Sequence, residues 1–248
     1  MKILTLLLLT IITFATTAQE LKLVTKTSQS NPFTSYKEEY YVLKDNKKIR
    51  HGSYKKWVNG RISLEGFHKN DNMDSTWTTY SSLGHIVSTG NYANNTKVGL
   101  WKFYDKDEPE QVYNYSTQTL VYFKPEDKPA AYTIINGADT TYSVLSRQPL
   151  TIGGKYAFYE VIAKNLRYPV AAHKSGITGR VYVAFTIDET GKTADHKVLK
   201  NGNKHLDAEA IRVVKLLDNW LPALKEDKPV KVVNIVPITF NNAGIINP

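Results

Sequence analysis

The chain has 248 residues, 42% of them hydrophobic, and a formal net charge of +9; two modest cores fit that length, since a domain takes about 100 to 200 residues. There is no cysteine, which excludes disulfides, a thiol nucleophile, thiolate metal sites and a lipidated cysteine anchor. The positive charge is dispersed. Its densest group, Lys44, Lys47, Lys48, Arg50, Lys55 and Lys56, is interrupted by Asp45 and crosses a hairpin pattern, so a solvated surface is expected and no nucleic-acid partner.

The chain opens with Lys2, an apolar run from Ile3 to Phe14 and small residues at Ala15 and Ala18. This is the pattern of a secretory signal peptide over residues 1–18, and it predicts an exported protein. The alternative is an uncleaved inner-membrane anchor over residues 3–18. A spanning helix wants about 20 apolar residues, and this run is barely that long with every Thr counted.

From residue 36 to 115 the sequence repeats. Tyr54 and Trp57, Trp77 and Tyr80, and Trp101 and Tyr104 share one aromatic spacing, with Gly52, Ser75 and Gly99 two residues ahead of each pair. Behind the first two pairs follow Gly60 and Gly84, Ile62 and Ile86, then Gly66 and Gly90. A repeat of this size implies stacked supersecondary units. Asn59-Gly60, Leu83-Gly84, Asn70-Asp71 and Asn94-Asn95 are turn signals, so each unit reads as a β-hairpin, with a degenerate earlier copy from Tyr40. The aromatics are expected to form a shared core, or else an exposed binding face. These motifs resemble MORN-like repeats. Residues 116–147 read as a linker with short strands, because Pro125, Pro129 and Asn136-Gly137 interrupt the pattern.

Val181, Val183, Phe185 and Ile187 alternate with Tyr182, Ala184 and Thr186, the period of a half-buried strand. Gly191 marks the hairpin loop to a second strand through Val198. Leu206, Ala210, Val213, Val214 and Leu217 form one helical stripe, expected to run to Asn219 and to stop at Trp220-Leu221-Pro222. Helices are also expected over 157–166 and 170–174, and a last strand over 230–240. The fold class predicted is α+β: an N-terminal all-β array of hairpins, then two helices packed on a three-stranded antiparallel sheet.

Tyr168-Pro169, Gly176 through Gly179, the strand from Arg180 to Asp188, Gly191, Leu206 through Arg212, Trp220 with Pro222, and Pro237 through Phe240 occur in an order that resembles the TonB C-terminal domain over residues 148–241. The resemblance implies a non-enzymatic periplasmic domain that adds an extended segment of an outer-membrane receptor, or another envelope protein, to a sheet edge. By position the receiving strand is Val232, Val233, Asn234, Ile235 and Val236, with Arg167 and Tyr168 near the entry. Pro237 fits an edge, since it has no N–H for a central ladder; edge protection would explain it equally. A homodimer is a further possibility, and proton-channel partners are expected only if the N-terminus is uncleaved. The long Pro-rich spacer of an energy transducer is missing, so the alternative role is a structural envelope protein acting through its repeats.

No catalytic constellation, metal site or cofactor site is expected. The histidines His51, His68, His85, His173, His196 and His205 lack helical ligand spacing, and His68 occupies the slot that Tyr92 holds one repeat later. Gly153-Gly154-Lys155 lacks the rest of a phosphate loop, Asp188 and Glu189 fall in a hairpin turn, and no nucleophile elbow is present.

Overall fold

The computed structural model describes residues 19–199 and 202–241; the signal-peptide expectation for 1–18 lies outside them. The first unit is a nine-stranded antiparallel meander in chain order: β1 (Leu21–Asn31), β2 (Thr34–Leu43), β3 (Arg50–Val58), β4 (Arg61–Lys69), β5 (Asn72–Tyr80), β6 (Ile86–Ala93), β7 (Thr96–Asp105), β8 (Glu108–Asn114) and β9 (Thr119–Phe123). Repeated hairpins therefore build it, but it runs past the 36–115 array at both ends. β1 and β9 carry neither the aromatic pair nor the spaced glycines, which is why the repeat pattern did not reach them.

The repeat spacing has a physical cause at each position. Asn59, Asn70, Asp71, Asn94 and Asn95 all take positive φ, as tight hairpin turns require. Asx side chains also bridge to earlier strands. Asn59, Asp71, Asn95 and Asp107 accept the main-chain N–H of Ser35, Arg50, Met73 and Ile86 at 2.7 to 2.8 Å. Each turn thus stitches itself to the hairpin before it. Glycines serve the aromatics: a Cβ on Gly66 would lie 2.1 Å from the Trp77 ring, and one on Gly90 2.3 Å from the Trp101 ring. Both indoles lie flat over bare backbone, and their N–H groups donate to the carbonyls of Phe67 and Asn91 at 3.1 and 3.0 Å.

The aromatics form a continuous ladder. Tyr40, Tyr54, Trp77, Tyr92, Trp101 and Tyr115 succeed one another with ring centroids 5.1 to 6.4 Å apart. Tyr40, Tyr54, Trp77 and Trp101 are buried, so this face is a core and not an open binding surface. His68 is buried in the same ladder, edge-on to Tyr54 and Trp77 at 5.2 and 5.0 Å, the position that Tyr92 occupies between Trp77 and Trp101.

The second unit begins with β10 (Ala131–Asn136), β11 (Asp139–Val144) and β12 (Leu150–Thr151), followed by α1 (Gly154–Asn165) and α2 (Val170–Lys174). Then come β13 (Gly179–Ile187), β14 (Thr193–Val198), α3 (Lys204–Val214), β15 (Trp220–Leu221), β16 (Ala223–Lys225), β17 (Lys228–Val230) and β18 (Val232–Phe240). The sheet is five-stranded, in the order β11-β10-β18-β13-β14, and not three-stranded as expected. The extra pair comes from the stretch read as a linker, where Tyr132 through Ile135 and the Asn136-Gly137 turn make a hairpin that docks on β18. α3 also ends sooner than its apolar stripe suggested. Lys215 caps it, and short bonds from Leu216 to Val213 and from Leu217 to Val214 tighten the exit. Leu217 stays buried while Asn219 turns away to accept the Ile152 N–H at 2.9 Å.

Helices cover the inner face through Phe185, Ile187, Val183, Val213, Val214 and Ile162, with Leu145 and Trp220 closing the core. The two units are joined by more than the chain. Among its own residues α1 has no side-chain cap and no acidic residue in its first turn, and strand β8 supplies both. The buried Gln111 accepts the Gly153 N–H at 2.8 Å and donates to the Thr151 carbonyl at 3.0 Å. Beside it Glu110 accepts the Lys155 N–H at 3.1 Å. A carboxylate therefore fills the anion position at Gly153-Gly154-Lys155 that a phosphate would take. Ile152 and Leu221 pack against the aromatic ladder.

Two expectations follow. Burial and the nearby Arg50 charge hold the His68 pKa below its ordinary value, so the fold favours neutral imidazole. Stability of the hairpin array should be full above about pH 6.5 and fall as pH drops through the range where the unfolded histidine takes up its proton. His68→Tyr should flatten this dependence in urea unfolding followed at pH 5 and pH 8, and an unchanged slope would contradict the assignment. Gln111→Leu should strand the Gly153 N–H and the Thr151 carbonyl and cost about 2 to 4 kcal/mol; a loss within about 0.5 kcal/mol in chemical denaturation would show that the contact does not join the units.

Candidate protein-binding edge

Strand β18 holds the residues that the sequence placed at a receiving edge, and its two sides are unequal. Toward β13 it is paired without interruption, from Val232 opposite Ile187 to Phe240 opposite Gly179. Toward β10 one ladder pair forms, Val232 opposite Ile134, with the Ile135 N–H donating to the Lys231 carbonyl at 2.9 Å. Val232 is thus flanked on both sides, and the strand becomes an edge only beyond Val233.

Alternation along a regular ladder tells which groups are free. Lys231 directs its carbonyl to β10, so Val233, Ile235, Pro237 and Thr239 direct theirs to the same side. Val232, Asn234, Val236, Ile238 and Phe240 bond to β13. The opposite side of β13 agrees, since the Tyr182 carbonyl accepts the Leu199 N–H at 3.0 Å. Ile235, Pro237 and Thr239 therefore present three carbonyls and two N–H groups that have no ladder partner among the described residues. Pro237 sits where its missing N–H costs the β13 ladder nothing. Continuing the β10 register would set Pro129 opposite Pro237, two residues without an N–H, and β10 does not pair with the strand there.

The open length borders a groove of about 660 Å³. Its lining takes Asn234, Ile235, Val236 and Pro237 from β18, Phe158 and Tyr159 from α1, Trp220, and residues of β7, β8 and 123–127. Ile235 is half exposed at 49%, whereas Val236 is buried at 4%, so the strand offers alternate side chains to core and solvent.

Arg167 and Tyr168 lie elsewhere. The Tyr168 ring stands edge-on to Phe240 and His173 at 5.7 and 5.3 Å, and its hydroxyl donates to the Ile177 carbonyl at 2.5 Å. This places Tyr168 at the far end of β18, outside the groove lining. Arg167 donates its main-chain N–H to Glu209 at 2.6 Å, while Arg212 grips both oxygens of the same carboxylate at 2.7 Å. Burial of Glu209 opposes its ionisation; the bonds from Arg212 and Arg167 outweigh it and leave the carboxyl below its ordinary range. The clamp fixes the α1–α2 connection on α3, a role that the sequence did not reveal because its partners lie far apart in the chain.

Nothing in this region assembles an acid–base pair or a nucleophile. Asp188 serves its own hairpin by accepting the Thr190 and Lys192 N–H groups at 2.8 and 2.9 Å. Among the described residues no group of three or more His, Asp or Glu could hold a metal ion, and no helix is long and apolar enough to cross a membrane. The sequence missed the other residues of the groove, for its charged residues come from β7, β8, α1 and the segment after β9 with no motif of their own.

No curated protein matches the chain. Residues 164–242 match the family described as the Gram-negative bacterial TonB protein C-terminal domain, a domain of protein interaction at the cell envelope. The matched stretch holds α2, β13, β14, α3 and β18, so the open edge lies inside it and the β10–β11 hairpin, most of α1 and the repeat sheet lie before it.

Proposed function

We propose that this chain is a non-enzymatic, exported protein of the periplasm that binds an extended segment of an outer-membrane receptor or another envelope protein by strand addition at β18. The observation that carries this reading is the unpaired main chain of Ile235, Pro237 and Thr239 inside the TonB-type stretch. Main-chain hydrogen bonds would supply affinity there, and the groove beside it would sort side chains. Of the residues expected at the receiving strand, Asn234, Ile235 and Val236 keep that role, extended now to Pro237 and Thr239. Val232 and Val233 mark where β10 leaves off. Tyr168 supports the strand's end through Phe240, and Arg167 acts on it only through the Glu209 clamp.

The repeat array, which resembles MORN-like repeats, is the scaffold that carries this edge. A purely structural role for the array is the alternative reading, and the burial of its aromatic ladder speaks against a binding face on that side. Transport coupled to the inner membrane is a further step that would need the residues before Gln19 to remain as an anchor.

Ile235→Pro should separate binding from folding. It removes a free edge N–H and leaves the β13 ladder intact, so stability should change little, while affinity for a receptor-derived extended peptide should fall at least about tenfold. Amide shifts confined to residues 233–240 in the unmodified protein should accompany binding. Undiminished affinity in the variant would place the contact on another surface.

A further inference from the structure

Part of the groove beside β18 is lined by the end of the repeat sheet and by the segment 124–127 that follows β9. This lining brings Asp105, Glu108 and Glu110 of the sheet and Glu126 and Asp127 of the following segment together with Lys106, Lys124 and, from α1, Lys155, an acidic excess in a chain whose net charge is +9. Some of these charges are already engaged. Glu110 caps α1 at the Lys155 N–H, and Asp105 pairs with the Lys155 ammonium at 3.5 Å. Glu108, Glu126 and Asp127 are exposed and make no ion pair among the described residues. They line the same groove as Ile235 and Pro237.

A main-chain edge reads no sequence; neighbouring side chains must do so. Carboxylates beside a groove lower the energy of a cation within it and raise that of an anion, and low-dielectric walls enlarge both effects. We propose that the end of the repeat sheet and the segment following β9 form the specificity wall of the binding edge, and that the segment accepted at β18 is a basic one, whose Lys or Arg side chains meet Glu108, Glu126 and Asp127. The inference rests on the strand-addition reading. It gives the array a part in recognition that its buried aromatic face does not provide. It also explains a use for the Gln111 and Glu110 contacts, which hold the wall at a fixed place relative to the edge.

The test uses the full chain and three synthetic strand-forming peptides that share an alternating Val/Thr framework and differ only in carrying Lys, Gln or Glu at the polar positions. Calorimetry should find the Lys peptide about tenfold tighter than the Gln peptide and the Glu peptide weaker than both, with the differences collapsing between low and high salt. In the triple variant Glu108→Gln, Glu126→Gln, Asp127→Asn, the Lys peptide should lose its advantage while the Gln peptide binds as before. Equal affinities of the three peptides, with amide shifts at Ile235 and Thr239, would overturn the charge selection and leave strand addition standing. Absence of those shifts with every peptide would sink both. Charge preference that survives the triple variant would place the selecting carboxylates elsewhere and overturn the assignment to this wall.

Discussion

The unequal pairing of β18 is the constraint from which the functional reading follows. One side of this strand is bonded to β13 over its whole length, which makes it a rigid inner strand of the second unit. On the other side β10 pairs once and departs. Two prolines lie beyond that departure, where the shared register would bring Pro129 and Pro237 face to face with no N–H between them. Sheets ordinarily guard their edges against stray pairing. Here the guard is partial: Pro237 withdraws one donor, whereas Ile235 and Thr239 keep theirs. The edge is thereby short, placed in a groove, and limited in what can dock on it.

The repeat sheet lines part of the groove beside this strand. Its hairpins need neighbours for stability, and the Asx bridges together with the indoles seated on Gly66 and Gly90 supply them from one unit to the next. Near its end, where β9 closes the meander, β8 offers Gln111 and Glu110 to the bare N-terminus of α1. That contact satisfies helix donors which α1 cannot satisfy itself. It also buries Gln111 with both ends of its amide bonded, so the fit tolerates little displacement. The groove is consequently lined by residues of two units held in register.

Much of this was legible in the sequence, for identifiable reasons. The apolar positions from Val181 to Ile187 and the stripe from Leu206 to Val214 appear as a strand and a helix, although the strand is not half-buried as its alternation suggested, since Ala184 and Thr186 are buried as well. The spaced Gly and aromatic residues reflect contact between adjacent hairpins, and the repeat is visible for that reason. Local pattern does not encode where separate pieces meet. The Tyr132 to Ile135 segment reads as a strand but carries no sign that β18 is its neighbour, which is why the sheet has two strands more than expected. The same holds for Gln111, an ordinary polar residue in sequence and a helix cap in the fold. At the edge itself, Pro237 was informative because proline limits pairing wherever it stands, yet its counterpart Pro129 acquired meaning only from the register of Ile134 with Val232.

Hydrogen exchange along β18 in the free protein tests the central claim without any partner. If the edge is open, the amides of Asn234, Val236, Ile238 and Phe240 exchange slowly, because they bond to β13, while those of Ile235 and Thr239 exchange fast. Slow exchange at all six positions would mean that another part of the chain covers this side of the strand, and the account of β18 as a receiving edge would be wrong.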